Sequence, residues 1–106
     1  MKATADCRTK NVVYLIECAK CSIQYVGETE NALRVRLTGH RSDINHQRLD
    51  RPVAHHFNQP HHSLKDLTIM IIEKIYREDA NFRKLKESYW IETIKTLSPN
   101  GLNRYS

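Results

Sequence analysis

Residues 11–29 read NVVYLIECAKCSIQYVGET, and this stretch decides the fold. β-Branched and aromatic residues flank a central C-x-x-C, a composition typical of paired strands joined by a turn. With Ala19-Lys20 as the turn, Cys18 faces Cys21 and Tyr14 faces Tyr25. Because side chains alternate across a strand, both phenols and both thiols project from one face of the predicted hairpin. A hairpin without chemistry is the alternative for these residues taken alone.

Length and charge predict one small basic domain. The chain has 106 residues, with 17 Lys+Arg against 12 Asp+Glu, a formal net charge of +5 and a pI near 9.3. This length allows a single modest core, and the basic balance favours a polyanionic partner such as nucleic acid. No apolar run is long enough to cross a bilayer, so we expect no membrane partner. The first ten residues, MKATADCRTK, lack the apolar segment of a secretory signal, which favours a reducing compartment.

Residues 31–46 predict the first helix, with Thr29 or Asn31 as its cap. Its apolar residues are spaced for one inward stripe: Leu33, Leu37 and Ile44. Continuing this stripe reaches Arg36 and His40, which are costly side chains to turn toward a core. A snorkelling arginine and a satisfied boundary histidine are the alternatives without function. Three charged residues fall elsewhere and are expected to be solvated: Arg34, Arg41 and Asp43.

The remaining segments predict a short helix at 53–57, a third strand at 67–75 and a long helix at 77–97. Isoleucines on both faces of the third strand favour a central position in the sheet. The inner face of the long helix is expected to carry Phe82, Leu85, Tyr89, Trp90, Thr93, Ile94 and Leu97, with Glu87 at its margin. The order predicts an α+β fold, a three-stranded, mostly antiparallel sheet flanked by helices, in one domain over residues 1–106 with a core at about 11–103.

Several polar side chains therefore recur at inward or face-sharing positions: Tyr14, Tyr25, Arg36, His40 and Glu87. This arrangement resembles the GIY-YIG nuclease family. The family's motifs appear in order as Val12-Val13-Tyr14, Tyr25-Val26-Gly27, Leu33-x-x-Arg36-Leu37-x-x-His40, Glu87 and Asn103. The chain departs from the pattern in two places. Val12 stands at the first glycine, and the longer spacing after Tyr25 leaves Arg34 as a second candidate for the arginine.

The resemblance implies metal-assisted hydrolysis of DNA phosphodiester bonds. Glu87 would hold one Mg²⁺ or Mn²⁺, and Arg36 would bind the phosphate oxygens. Tyr14 would take the proton of the attacking water, directly or through a partner, while Tyr25 orients the phosphate or the water. His40 would either relay the proton or contact phosphate, and the sequence leaves both roles open.

Within the family, the sequence is most similar to the endonuclease domain of Penelope-like retroelements. That branch places two cysteines between its tyrosine motifs, as Cys18 and Cys21 stand here, and adds a later histidine pair that points to His56 and His62. The Cys-x2-Cys and His-x5-His spacings agree with a structural Zn²⁺ site. An antiparallel third strand would bring its start, and with it His62, near Cys18. Three further candidates remain as ligands: His55, His61 and Cys7.

The same resemblance implies a DNA substrate, a larger retroelement protein with a reverse transcriptase, and a nuclear location. Arg34, Arg41 and Asn103 are the candidate DNA contacts outside the catalytic set. Two other classes of protein remain as alternatives. A catalytically inactive, zinc-stabilised nucleic-acid-binding module would need the basic charge and the zinc only, and a purely structural interaction domain would need neither.

Overall fold

The structure, a computed structural model, describes residues 8–104. In chain order its elements are β1 (Val12–Cys18), β2 (Gln24–Thr29), α1 (Leu33–Asn45), α2 (Pro52–Phe57), a 3-10 turn (Leu64–Asp66), β3 (Leu67–Lys74) and α3 (Ala80–Ile94). The strands form one antiparallel sheet in the order β2-β1-β3, which confirms the predicted α+β class. Among residues 8–104, no helix has the length and apolar character needed to cross a membrane.

The β1–β2 hairpin has the predicted faces but a different register. Tyr14 lies opposite Gly27, and Tyr25 lies opposite Ile16, so the pairing is displaced by two residues from the expected one. The turn is longer than a two-residue turn because Ser22 adopts a left-handed backbone with φ of 67° and donates its N–H to Cys18 O. A shift of two residues keeps every side chain on its face, so both phenols still point to the same side.

β1 is the central strand of the sheet and is covered on both faces. Val12, Tyr14 and alternate residues after it pack with α1 and α2, whereas Val13 and Leu15 pack with α3. The predicted central position of β3 is wrong, since β3 pairs only with β1 and lies at an edge. Helices cover both faces of the sheet, and this explains why β3 carries isoleucines on both faces although it is an edge strand.

Helix α1 begins later than predicted and has no side-chain cap. Its N-cap is Ala32, while Thr29 Oγ1 accepts a hydrogen bond from the Asn31 N–H in the preceding turn. Leu33, His40 and Ile44 are buried, as the predicted stripe requires. Asp43, predicted to be solvated, is instead half-buried, because it forms ion pairs with Arg48 and Arg51.

Helix α3 is three residues shorter at each end than predicted, because the Asp79 carboxylate caps its start and Lys95 ends it in a left-handed conformation. Part of the predicted inner face is wrong: Leu85 is 68% exposed and Tyr89 is 57% exposed. The helix turns Arg83 inward instead, and this side chain is buried. The inner face consists of Phe82, Arg83, Trp90, Ile91 and Ile94, with Thr93 exposed. This phase brings Glu87, one turn after Arg83, to the side of β2.

Candidate active site and metal cluster

Tyr14 occupies the middle of the central strand and is 1% exposed. Its ring crosses the opposite strand at Gly27, where a Cβ atom would lie 2.4 Å from the phenol oxygen. A glycine at this position therefore makes room for the ring. Burial, followed by the nearby Tyr25 phenol, raises the pKa of Tyr14, and attraction and hydrogen bonding from Arg36 only partly oppose this rise. Tyr14 is consequently a neutral phenol at pH 7.

His40 contacts both phenols from α1. Its Nε2 atom lies 2.8 Å from Tyr14 Oη, and its ring centroid is 6.0 Å from that of Tyr25. Burial lowers the pKa of His40 to about 4, and the charges of Arg36 and Arg51 act in the same direction. The imidazole is therefore neutral at pH 7 and can accept the phenolic hydrogen at Nε2.

Glu87 presents a half-buried carboxylate from α3 on the other side of Tyr25. Burial raises the pKa of Glu87, and the carboxylate of Glu28 raises it further, with Lys84 opposing. Burial and the charge of Glu87 likewise raise the pKa of Tyr25. Within residues 8–104, no cationic side chain forms an ion pair with Glu87. Lys84, the cation that opposes the rise in pKa, forms its ion pair with Glu28 instead.

A cleft with two hollows joins these groups. The larger hollow, about 520 Å³, is lined among others by Tyr25, Pro52, Glu87, Glu92, Asn103 and Arg104. The smaller hollow, about 260 Å³, is lined among others by Tyr25, Arg36, His40, Asp43, Arg51 and Pro52. Tyr25 and Pro52 belong to both hollows. The structure therefore places Tyr25, Arg36, His40 and Glu87 around one cleft. Tyr14 lines neither hollow and contacts this group through its phenol oxygen, which interacts with His40 and Arg36.

The two candidate arginines lie at different places, since Arg36 lines the smaller hollow and Arg34 is exposed elsewhere on α1. Arg41 is also exposed on α1 and lines neither hollow. The roles of Arg34 and Arg41 as DNA contacts remain predictions.

Asn103 is buried, and its amide forms three hydrogen bonds within the protein. Its Oδ1 accepts hydrogen bonds from the Val26 N–H at 2.8 Å and from Thr96 Oγ1, and its Nδ2 donates to Val26 O at 2.9 Å. Val26 stands between Tyr25 and Gly27, so these bonds hold the segment after α3 against the strand that carries the cleft tyrosine. The predicted DNA contact by Asn103 remains untested, and the observed bonds give it a positioning role.

Arg83 is a feature that the sequence prediction missed. Its guanidinium forms an ion pair with Glu28 and donates to Asn11 Oδ1 at 2.9 Å. Burial alone would raise the pKa of Glu28, but hydrogen bonds from Arg83 and Lys84 hold it below its usual value. The spacing of Arg83 four residues before Glu87 was the available signal, since it places both on one face of a helix.

A second group of polar side chains lies at the far end of β1. Cys18, Cys21, His56 and His62 each offer one ligand atom, and these atoms lie within 4.8 Å of one another. Cys21 Sγ is 3.4 Å from His56 Nε2, close to the roughly 3.5 Å edge of a tetrahedron with zinc–sulfur and zinc–nitrogen bonds of normal length. His62 Nε2 is buried without a hydrogen-bond partner. The four side chains therefore fit a tetrahedral metal ion.

The competing ligands lie outside this group. His55 and His61 are exposed and offer no atom to the Cys/His cluster, as we call Cys18, Cys21, His56 and His62. Cys7, the other candidate, lies outside the described residues. The antiparallel pairing of Cys18 with Leu67 explains the approach of His62, because the segment before β3 must begin beside the end of β1.

The chain matches the model of the GIY-YIG catalytic domain over residues 10–103, and it belongs to that family. The predicted GIY-YIG-type endonuclease is thereby confirmed at the level of the family. No curated protein matches the chain in sequence.

Two similar solved structures agree with the fold. The catalytic domain of the homing endonuclease I-TevI has a TM-score of 0.71 and 20% identity, covering 92% of this chain and 100% of that one. A mutant of the catalytic domain of the intron endonuclease I-TevI has a TM-score of 0.75 and 20% identity, covering 90% of this chain and 93% of that one. At this identity the likeness concerns the fold alone.

Proposed function

We propose that this domain is a DNA endonuclease that hydrolyses phosphodiester bonds with one divalent cation held at Glu87. The observation that carries the proposal is the Glu87 carboxylate, which shares a cleft with the Tyr25 phenol and the Arg36 guanidinium. The similar structures come from a homing endonuclease, which supports DNA as the substrate. The chain belongs to a family of catalytic domains, which favours catalysis over nucleic-acid binding without cleavage.

The environment of Glu87 fits a hard divalent cation. The Glu87 carboxylate is half-buried and lies near the Glu28 carboxylate, and both features raise its pKa. A positive charge bound beside Glu87 would therefore stabilise its ionised form. A single protein carboxylate is typical of Mg²⁺ or Mn²⁺ sites, in which water and phosphate complete the coordination. When bound, the ion would polarise the phosphate and lower the pKa of a bound water.

The protein's own residues divide the remaining tasks. Arg36 lines the smaller hollow, where its planar guanidinium can donate two hydrogen bonds to nonbridging phosphate oxygens as their charge develops. Tyr25, which borders both hollows, orients the phosphate or the water between them.

The proton from the attacking water passes through the Tyr14–His40 pair. Because its pKa is raised, the Tyr14 phenol is not ionised at neutral pH before the reaction. To accept a proton from the water, Tyr14 must therefore give up its own phenolic proton at the same time. His40 Nε2, neutral and 2.8 Å from Tyr14 Oη, is positioned to receive it. The positive charge of Arg36 stabilises the phenolate character that develops during this transfer. We therefore assign His40 to the relay rather than to a phosphate contact.

We propose that the Cys/His cluster holds a structural Zn²⁺ ion. Two thiols and two imidazoles are a preferred zinc donor set, and the orphaned His62 Nε2 faces the other three ligand atoms. Four protein ligands leave no position for substrate, which suits a structural role. The ion would tie the β1–β2 turn to α2 and to the segment before β3.

The resemblance to Penelope-like retroelements extends the proposal to biological context. The cysteine pair between the tyrosine strands and the two later histidines lie together, as that resemblance implies. On this basis we propose that the domain nicks target DNA for retroelement insertion, acts with a reverse transcriptase in a larger protein, and works in the nucleus.

A nicking assay on supercoiled plasmid with Mn²⁺ or Mg²⁺ tests the enzymatic function. Wild-type protein should convert plasmid to the nicked form, and Glu87→Gln should reduce the rate by at least about a thousandfold. Glu92→Gln is the matched control, because Glu92 lies on the same helix and lines the same hollow but is exposed. Equal rates in Glu87→Gln and wild type would contradict the proposal. DNA binding without nicking in any metal would favour the inactive binding module.

A further inference from the structure

Two arginines that take no part in the proposed chemistry lie at the cleft, one in each hollow. Arg51 lines the smaller hollow beside Arg36 and His40. Arg104 lines the larger hollow, whose other described charged residues, Glu87 and Glu92, are both acidic. A DNA strand that reaches Glu87 must therefore approach two carboxylates, and Arg104 is the lining residue there that can attract its phosphates.

The backbone fixes these two arginines relative to each other. Arg104 donates a hydrogen bond from its guanidinium to Asp50 O at 3.1 Å, and Asp50 directly precedes Arg51. Arg51 is the N-cap of α2, and the next residue, Pro52, borders both hollows. The two guanidiniums thus stand on opposite sides of the boundary that Tyr25 and Pro52 form within the cleft.

Arg51 is held in place by one ion pair and keeps other hydrogen-bond donors available. Its Nη1 atom forms one ion pair with Asp43 at 3.3 Å, and its side chain is 54% exposed. A guanidinium has five N–H donors in a fixed fork, so most of the donors of Arg51 stay available to an oxyanion. Arg104 similarly donates one hydrogen bond to a backbone carbonyl, and its side chain is exposed.

We propose that Arg51 and Arg104 bind the two phosphates that flank the scissile phosphate on the cleaved strand. The proposal rests on the proposed function, because it names how that same cleft receives the DNA backbone. Arg51 takes the phosphate on the side of Arg36 and His40, and Arg104 takes the phosphate on the side of Glu87. Contacts of this kind position a strand without reading its bases.

Arg48 separates this role from a structural one. Arg48 forms an ion pair with the same Asp43, and its side chain is 55% exposed against 54% for Arg51. It lines neither hollow. Replacing Arg48 therefore removes an equal charge and a somewhat longer ion pair with Asp43, 3.7 Å against 3.3 Å, from outside both hollows.

Binding of a short duplex would be measured over a range of salt concentrations, in the Glu87→Gln background so that cleavage does not interfere. We expect Arg51→Ala and Arg104→Ala each to weaken binding about fivefold or more at 0.1 M salt and to reduce the salt slope by about 0.9. Arg48→Ala should change binding less than twofold. Arg51→Lys should retain the salt slope, because the charge remains.

Steady-state nicking with the Glu87 carboxylate intact supplies the second readout. Loss of a flanking phosphate contact should raise KM several-fold and leave kcat within about threefold. If Arg51→Ala and Arg104→Ala matched Arg48→Ala in binding, salt slope and KM while wild type nicked plasmid, the flanking-phosphate role would be overturned and the proposed function would stand. Wild-type protein that nicked no DNA in any metal would overturn the proposed function itself.

Discussion

The cleft and the Cys/His cluster differ in how many ligands the protein supplies for a metal ion. The cluster collects four ligand atoms within 4.8 Å of one another, which is a complete set for a tetrahedral ion. The cleft holds the Glu87 carboxylate in an open hollow and surrounds the remaining space with the Tyr25 phenol and three guanidiniums. A closed donor set is typical of a structural metal, whereas an open one leaves positions for water and phosphate.

The two regions also share elements, so they are not independent. β1 carries Tyr14 in its middle and Cys18 at its end, and α2 places Pro52 at the cleft and His56 in the cluster. Because α2 has only six residues, its stability depends on its packing against the rest of the domain more than on its own helical hydrogen bonds. The comparison teaches that damage to the cluster should reach the cleft, while damage to the cleft should spare the cluster.

The largest expected effect is the loss of the proposed zinc ion through His56→Ala. Structural zinc contributes about 10 kcal/mol of apparent binding free energy in small domains, which equals or exceeds the whole stability of a typical domain of this size. We expect His56→Ala to lose bound zinc, to unfold at a much lower temperature and to lose nicking activity. Elemental analysis, thermal melting and the plasmid assay measure these three properties.

His55→Ala is the matched control for that substitution, because His55 is the neighbouring histidine on α2 and is exposed. It should retain about one equivalent of zinc and the wild-type melting temperature. Purified wild-type protein with less than about half an equivalent of zinc would contradict the metal assignment.

A smaller effect, confined to the cleft, is expected from Asn103→Ala. The substitution leaves the N–H and C=O of Val26 without their buried partner, at a cost of about 3 kcal/mol in the free energy of unfolding. The neighbouring Tyr25 should then lose its fixed position, so nicking should fall. Denaturant titration and the plasmid assay test this, with the exposed Asn100→Ala as control. Loss of zinc from Asn103→Ala would contradict the one-way dependence between the two regions.

The sequence predicted the cluster better than the cleft, for a physical reason. Thiols and imidazoles at metal-site spacing are rare, so ligand identity together with the family resemblance pointed to Cys18, Cys21, His56 and His62. Three further candidate ligands of the same kind stayed open: His55, His61 and Cys7. The cleft depends on rotations and registers that apolar patterns do not determine. The hairpin register followed from the left-handed Ser22, which the sequence does not show, and the phase of α3 followed from a buried arginine, Arg83, that hydrophobicity assigns to the surface.

The placement of β3 illustrates the same limit for the fold. Its antiparallel pairing with β1 was predicted, whereas its edge position was not, because isoleucines on both faces are equally compatible with strands or helices as neighbours. The cleft arginines Arg51 and Arg104 were likewise beyond prediction, since each lies in a polar segment without periodicity. Their position depends on a long-range contact, the hydrogen bond from Arg104 to Asp50 O.

The pH dependence of the free energy of unfolding should report on His40, a residue of the cleft. The pKa of His40 is about 4 in the folded protein and about 6.5 in the unfolded chain, so the unfolded chain binds more protons between these values. Stability from this group is therefore present above pH 6.5 and is lost as the pH falls toward 4, by up to about 3 kcal/mol. Denaturant titrations of wild type and His40→Gln at each pH isolate this contribution, because zinc release and other groups cancel in the difference. Parallel curves for the two proteins would contradict a neutral, buried His40.

The smallest effect, and the most local, concerns the two glycines near the catalytic side chains. In Gly27→Ala the new methyl group would lie 2.4 Å from the Tyr14 phenol, inside the sheet, where neither strand can move freely. We expect a loss of about 2 kcal/mol in the free energy of unfolding, together with reduced nicking, because Tyr14 must turn away from His40.

In Gly39→Ala the methyl group meets only the end of the Arg36 side chain at 3.1 Å, so the helix should become more stable by up to about 1 kcal/mol. Opposite signs in the two denaturant titrations, with zinc content unchanged in both, would show that the cleft can be disturbed at a single atom while the Cys/His cluster stays intact. Equal stability of Gly27→Ala and wild type would show instead that Tyr14 does not cross the strand at Gly27.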